Sequence, residues 1–168
     1  LTSPKFRMPD ASAKAQVCPP WTDPRNNEGW VTIPADHASL FESDLVDKIA
    51  KSFEQNPWVR RVTAVERVYP SQVRVKFEMR EARIAVRKGA SVVLVDRDGV
   101  RLPGLYQQIP ASVMELCVVA SQPPASGRRW DTLEIQTGLE MAALVEGEQL
   151  LQRFGVRAVD LSNLNGRR

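Results

Sequence analysis

Residues 43–79 read SDLVDKIAKSFEQNPWVRRVTAVERVYPSQVRVKFEM, and two different hydrophobic periods meet inside them. From Gln72 to Met79, Val73, Val75, Phe77 and Met79 alternate with Arg74, Lys76 and Glu78, a period of two that gathers the apolar side chains on one face of a strand. Val59 to Val68 supplies the other arm of a hairpin, and Tyr69-Pro70-Ser71 supplies its turn. Upstream, Leu45, Val46, Ile49, Ala50 and Phe53 fall on one stripe of a 3.6-residue helix over Ser43 to Gln55. Ser43 is placed to cap that helix and Asp44 suits its positive end. Asn56-Pro57 stops it, because proline lacks an N–H and disfavours helix in the residue before it. A helix therefore feeds directly into a hairpin whose apolar face it covers.

The residues around that junction resemble a known family. Asn56-Pro57-Trp58-Val59, then Val62, Val65, Arg67 and Tyr69-Pro70, are similar to the POTRA module of the FtsQ/DivIB bacterial cell-division proteins. The likeness continues through Arg80-Glu81, Ile84-Ala85 and the run Val93-Leu94-Val95-Asp96-Arg97-Asp98-Gly99-Val100-Arg101-Leu102-Pro103, and returns at Val159-Asp160-Leu161-Ser162. It departs at Arg83, where the family usually has proline, and beyond Asn163, where the family continues into further strands. The resemblance implies an α+β protein: a POTRA-like β-α-β-β module over 12–86, then a second, mixed β module with one main helix over 90–163. An irregular segment, 1–11, precedes them and a tail, 164–168, follows. The polar break Arg87-Lys88-Gly89 is the expected link between the two modules.

The flanks are consistent with that division. Pro4, Pro9, Pro19, Pro20, Pro24 and Pro34 exclude long helices before residue 42, leaving one short strand near Ala13 to Cys18, which in a POTRA module pairs with the hairpin. Trp21 and Trp30 are expected to anchor this segment. Ser91–Val95 and Val100–Leu102 flank Asp96-Arg97-Asp98-Gly99 as a second hairpin. Leu116 to Ala120 reads as a short strand. A helix capped by Asp131 or Thr132 runs over Leu133, Gly138, Leu139, Met141, Ala142, Leu144 and Val145, breaks at Gly147 and ends by Gly155. Val156 to Leu161 is the last strand.

Catalytic chemistry has little to stand on. The chain of 168 residues, 43% hydrophobic and 26% charged, holds a single histidine, His37, with no second ligand at helical spacing. No nucleophile-elbow glycines surround any serine, so a hydrolase built on Ser39 or Ser43 with His37 has no motif behind it. Asp96-x-Asp98-Gly99 lacks the third oxygen ligand and the distal glutamate of a calcium loop, and nothing cradles a nucleotide. No cofactor or metal is expected, and the chain reads as a non-enzyme. Cys18 and Cys117 form no metal spacing. Two separate thiols is the favoured reading; paired outside the cytoplasm, they would close a loop worth about 4 to 5 kcal/mol in the chain-entropy model.

Charge is more informative. The net charge is +3, yet residues 57–90 hold Arg60, Arg61, Arg67, Arg74, Lys76, Arg80, Arg83, Arg87 and Lys88 against Glu66, Glu78 and Glu81. Aromatic residues do not interleave with these bases as base stacking would need, so no nucleic-acid partner is expected. A solvated outer face of the hairpin is the favoured reading, with anionic head groups or an acidic partner helix as functional alternatives. The family resemblance implies a scaffold of the division septum on the extracytoplasmic (periplasmic) side of the inner membrane, held by a single-pass anchor outside these residues. Its partners would be small coiled-coil subunits of the FtsB/FtsL kind, engaged by strand addition. The residues assigned to partner binding are Val156, Arg157, Ala158, Val159, Asp160 and Leu161, with Arg74, Lys76 and Arg80 of the basic arm. The alternative is a periplasmic POTRA arm of an outer-membrane assembly or secretion protein.

Overall fold

Helix α1, Leu45–Glu54, forms where the stripe places it and buries Leu45, Ile49 and Phe53. The computed structural model describes residues 14–16, 30–32, 44–68 and 72–165, and the protein is α+β. It divides into two units, Leu1–Arg80 and Glu81–Arg168. The helix start lies one residue later than expected: Asp44 occupies the N-cap position without a side-chain cap bond, and its carboxylate instead pairs with Lys48 at 2.8 Å. At the other end Asn56 Oδ1 accepts the Trp58 N–H at 2.8 Å, and the Val59 N–H donates to the Asn56 carbonyl at 2.9 Å. That turn swings the chain straight into strand β3, Val59–Val68, which pairs antiparallel with β4, Gln72–Met79.

Three valines on β3, Val59, Val62 and Val65, are spaced by three, which strict alternation would scatter over both faces. Register shifts between Val59/Arg61 and Val62/Ala64 absorb the extra residues, so Val59, Val62 and Val65 stand opposite Met79, Phe77 and Val75. All of them pack against Leu45, Ile49 and Phe53, and the Phe53 and Phe77 rings lie 5.5 Å apart. Burying each of the helix's large apolar side chains contributes about 1.5 to 3 kcal/mol.

The short strand expected before residue 18 is present as β1, Lys14–Gln16, but its partner differs. It pairs antiparallel with β2, Trp30–Thr32, in a separate two-stranded ribbon, and β3–β4 forms its own two-stranded sheet. The POTRA-like β-α-β-β order is thus not built as one sheet among the described residues. Trp30-Val31-Thr32, where the sequence reading places no strand, has aromatic and β-branched residues suited to one, and closing this local loop costs less entropy than reaching the hairpin. The remaining expectations for Trp21, the 1–11 segment and the Tyr69-Pro70-Ser71 turn lie outside the described residues.

In the second unit, strand β5, Ala82–Lys88, and β6, Ser91–Asp96, form a hairpin whose Lys88↔Ser91 closing pair leaves Gly89 and Ala90 as the turn, Gly89 at φ 61. Arg87-Lys88-Gly89 is therefore a strand end and a turn, and the boundary expected there falls instead between Arg80 and Glu81. The reason is hydrophobic: Ile84, Ala85 and Val86 are fully buried beside Val92 to Val95 and belong to the second core. Strand β7, Met114–Cys117, lies parallel to β5, and β8, Ala158–Asp160, lies parallel to β7, giving the order β6-β5-β7-β8. Between β7 and β8 run helices α2, Leu133–Gly147, which starts after Thr132, and α3, Leu150–Phe154, which ends at Gly155 with φ 67. Ile135, Ala142 and Val145 of α2 pack with Ile84, Val86, Val93, Val95, Met114 and Leu116. Leu164, assigned above to the tail, also packs against this core within a 3₁₀ turn, Ser162–Asn165.

A candidate strand-addition edge

The four-stranded sheet has two edges, and they are unlike. Along β6 the chain returns as Val100–Tyr106: the Leu102 N–H donates to the Leu94 carbonyl at 2.8 Å, and Val92 and Tyr106 exchange bonds at 2.7 and 2.9 Å. A further layer follows, with the Arg101 N–H on the Arg128 carbonyl and the Gly127 N–H on the Arg101 carbonyl. That edge is covered. Beyond β8, among the described residues, nothing pairs.

The bonds from β7 show which way β8 faces. The Glu115 N–H donates to the Arg157 carbonyl at 2.8 Å and the Leu161 N–H donates to the Cys117 carbonyl at 3.3 Å. Arg157, Val159 and Leu161 therefore direct their backbone groups at β7, and alternation turns the N–H and C=O of Ala158 and Asp160 outward. The side chains sort the same residues differently. Leu161 is buried, and Val156 and Val159 pack on the core, whereas Arg157, Ala158 and Asp160 are exposed. Six of the nine residues assigned to partner binding, 156–161, thus lie along this edge, with distinct duties. Val156, Val159 and Leu161 hold the strand on the sheet; Ala158 and Asp160 carry its open hydrogen-bonding groups. Asp160 Oδ1 accepts the Ser162 N–H at 2.8 Å, which ends the strand in the 3₁₀ turn.

Arg74, Lys76 and Arg80 belong to the first unit. Arg74 and Lys76 share Glu66, at 3.9 and 2.6 Å, and the Lys76 ammonium holds the Glu66 carboxyl below its ordinary value through a hydrogen bond and its charge. The Arg80 N–H donates to the Trp58 carbonyl at 2.8 Å, so its backbone ties β4 to the helix–strand junction.

Two features near β8 escaped the sequence reading. Val118, immediately after β7, has φ 62 and is 61% exposed, so the run Leu116 to Ala120 does not continue as a strand. No sequence signal marks this, because Leu-Cys-Val-Val-Ala reads as uninterrupted β-propensity. Second, Glu134 in the first turn of α2 is buried, accepting the Ala120 N–H at 3.0 Å and the Ser121 hydroxyl at 2.7 Å, while Trp130 Nε1 donates to Ser121 Oγ at 3.1 Å. Lys88 Nζ stands 6.0 Å over the Trp130 ring and donates to the Val119 carbonyl. Every polar group here is engaged in pinning the 118–132 connection to the helix start.

The Asp96–Gly99 turn is held by Asp96 itself, whose Oδ1 accepts the Asp98 and Val100 N–H groups at 2.9 and 2.8 Å. Among the described residues, no cluster of three His, Cys, Asp or Glu is arranged to hold a metal, and no helix is long and apolar enough to cross a membrane. A cleft lined by Met114, Ala142 and Val145 is spanned by the Arg83–Glu146 ion pair, which satisfies both charges. Cys117 is a free thiol whose pKa is pushed up by burial and then by Glu115 and Asp160. Cys18, His37, Ser39 and Ser43 lie outside the described residues. No family model, curated protein or solved structure matches the chain.

Proposed function

We propose that the chain is the extracytoplasmic scaffold part of a membrane-anchored bacterial cell-division protein of the FtsQ/DivIB kind, which captures a small partner subunit by adding its strand to β8. The observation that supports this reading is the asymmetry of the sheet: β6 is covered by two further layers of chain, while the N–H and C=O groups of Ala158 and Asp160 find no partner among the described residues. An incoming strand gains main-chain bonds worth about 0.5 to 1.5 kcal/mol each, and exposed Arg157 and Asp160 on the edge select its charge. The motif residues from Asn56 to Pro103 supply the family reading; the open edge supplies the mode.

The test follows from which groups face outward. Ala158→Pro removes an outward N–H and leaves the β7 ladder whole, so capture of a soluble coiled-coil division subunit falls about tenfold or more while thermal stability is kept. Val159→Pro, which strikes the N–H facing β7, destabilises the second unit itself. Full capture by a folded Ala158→Pro protein would end the strand-addition reading.

A further inference from the structure

The outer face of the β3–β4 ribbon, opposite α1, carries more positive charge than its own sheet neutralises. The shift between Val59 and Arg61 places Arg60 and Arg61 together against the single carboxylate of Glu78, at 3.4 and 2.5 Å. Arg74 and Lys76 divide Glu66 in the same way. Among the described residues each acid thus serves two bases. The cations are not sunk in the fold: the side chains of Arg61, Arg74 and Lys76 are 63%, 63% and 56% exposed. Between them stand Thr63 and Ala64, which offer neither an aromatic platform nor an apolar anchor.

We propose that this face docks the protein onto an anionic lipid bilayer. A folded acidic partner gains specificity from pockets and buried anchors, and this ribbon presents an open ladder of spaced cations with small residues between them. Lipid head groups are mobile within the surface and gather under fixed cations wherever those stand, which suits such a ladder. The inference rests on reading the chain as part of a membrane-anchored protein, and it adds a second, electrostatic contact that orients the first unit toward the membrane surface. Arg74 and Lys76, assigned above to a protein partner, serve here as lipid contacts.

The full chain is mixed with vesicles of phosphatidylcholine alone and with vesicles containing phosphatidylglycerol, and bound protein is measured by sedimentation at low and at high salt. Binding to the anionic vesicles alone, lost at high salt, is expected. Arg61→Gln, Arg74→Gln and Lys76→Gln together weaken it about a hundredfold. Glu66→Gln, which frees Arg74 and Lys76, strengthens it severalfold, a gain that misfolding does not mimic. Equal binding to neutral vesicles, no gain from Glu66→Gln, or tighter binding to polyglutamate than to the anionic vesicles at matched charge would overturn the proposal, the last in favour of a soluble acidic partner. Capture of a coiled-coil subunit at β8 is assayed on Arg61→Gln alone and stays unchanged, while Ala158→Pro keeps its vesicle binding, so failure of the membrane contact and failure of the strand-addition reading give different results.

Discussion

At Val118 a β-branched residue sits at φ 62, a region in which its Cβ crowds the following carbonyl at a cost of about 1 to 2 kcal/mol. Because its side chain is 61% exposed, replacing it forfeits little packing. Val118→Gly is expected to raise stability by about 0.5 to 1 kcal/mol, measured as a higher denaturant midpoint with an unchanged slope. Glu134 works in the opposite sense. Burial raises the pKa of its carboxyl, but the Ser121 hydroxyl, the Ala120 and Ser121 N–H groups and the charge of Lys88 outweigh that and hold it below the ordinary glutamate value. A depressed carboxyl stabilises the fold above its unfolded pKa and loses that contribution as pH falls through its folded pKa. Glu134→Gln therefore costs about 1 to 3 kcal/mol at neutral pH, and the gap from wild type narrows as denaturation is repeated at increasingly acidic pH. Neither residue was legible in the sequence. A positive φ on valine and a glutamate turned inward at a helix start are imposed by the connection between β7 and α2, and no local propensity encodes them.

The secondary elements are more legible in the sequence than their pairings. The helix stripe of α1 and the alternation of β4 are local patterns, and both stand where periodicity put them. The valines of β3 show what periodicity alone cannot supply, since their spacing makes sense only once two bulges re-phase the strand. Lys14–Gln16 is a strand, as its sequence predicts, but it pairs with Trp30–Thr32 and not with the hairpin, because pairing is decided by loop closure and by competing strands. Helix α2 adds a constraint visible only in three dimensions: a Cβ at Gly138 would lie 2.9 Å from Leu116 Cδ2 and closer still to Cδ1. Leu116 is buried in the sheet and has little room to yield. Gly138→Ala, which would gain about 1 kcal/mol in a solvent-exposed helix, is instead expected to destabilise by about 1 to 2 kcal/mol. In a double-mutant cycle, Leu116→Ala should recover most of that loss, and additivity of the two substitutions would refute the contact.

For the whole molecule the question is where one cooperative unit ends and the next begins. Sequence composition drew the line at Arg87-Lys88-Gly89, where charge and glycine suggest a linker; the structure draws it between Arg80 and Glu81. The difference is β5, the inner strand that pairs antiparallel with β6 and parallel with β7 and contributes the fully buried Ile84, Ala85 and Val86. A fragment of residues 81–168 keeps all four strands and both helices around one core, and is expected to unfold in a single cooperative transition. A fragment of 90–168, cut at the sequence-derived boundary, loses its central strand, leaves β6 and β7 with no common partner, and should show neither cooperative melting nor protected amides. The pair also bears on function, because among the described residues β8 pairs with β7, and β7 joins the rest of the sheet through β5. If strand addition at Ala158 and Asp160 is how the protein recruits its partner, the 81–168 fragment captures the coiled-coil subunit as well as the full chain does. The 90–168 fragment then fails, although every residue of the open edge is present in it.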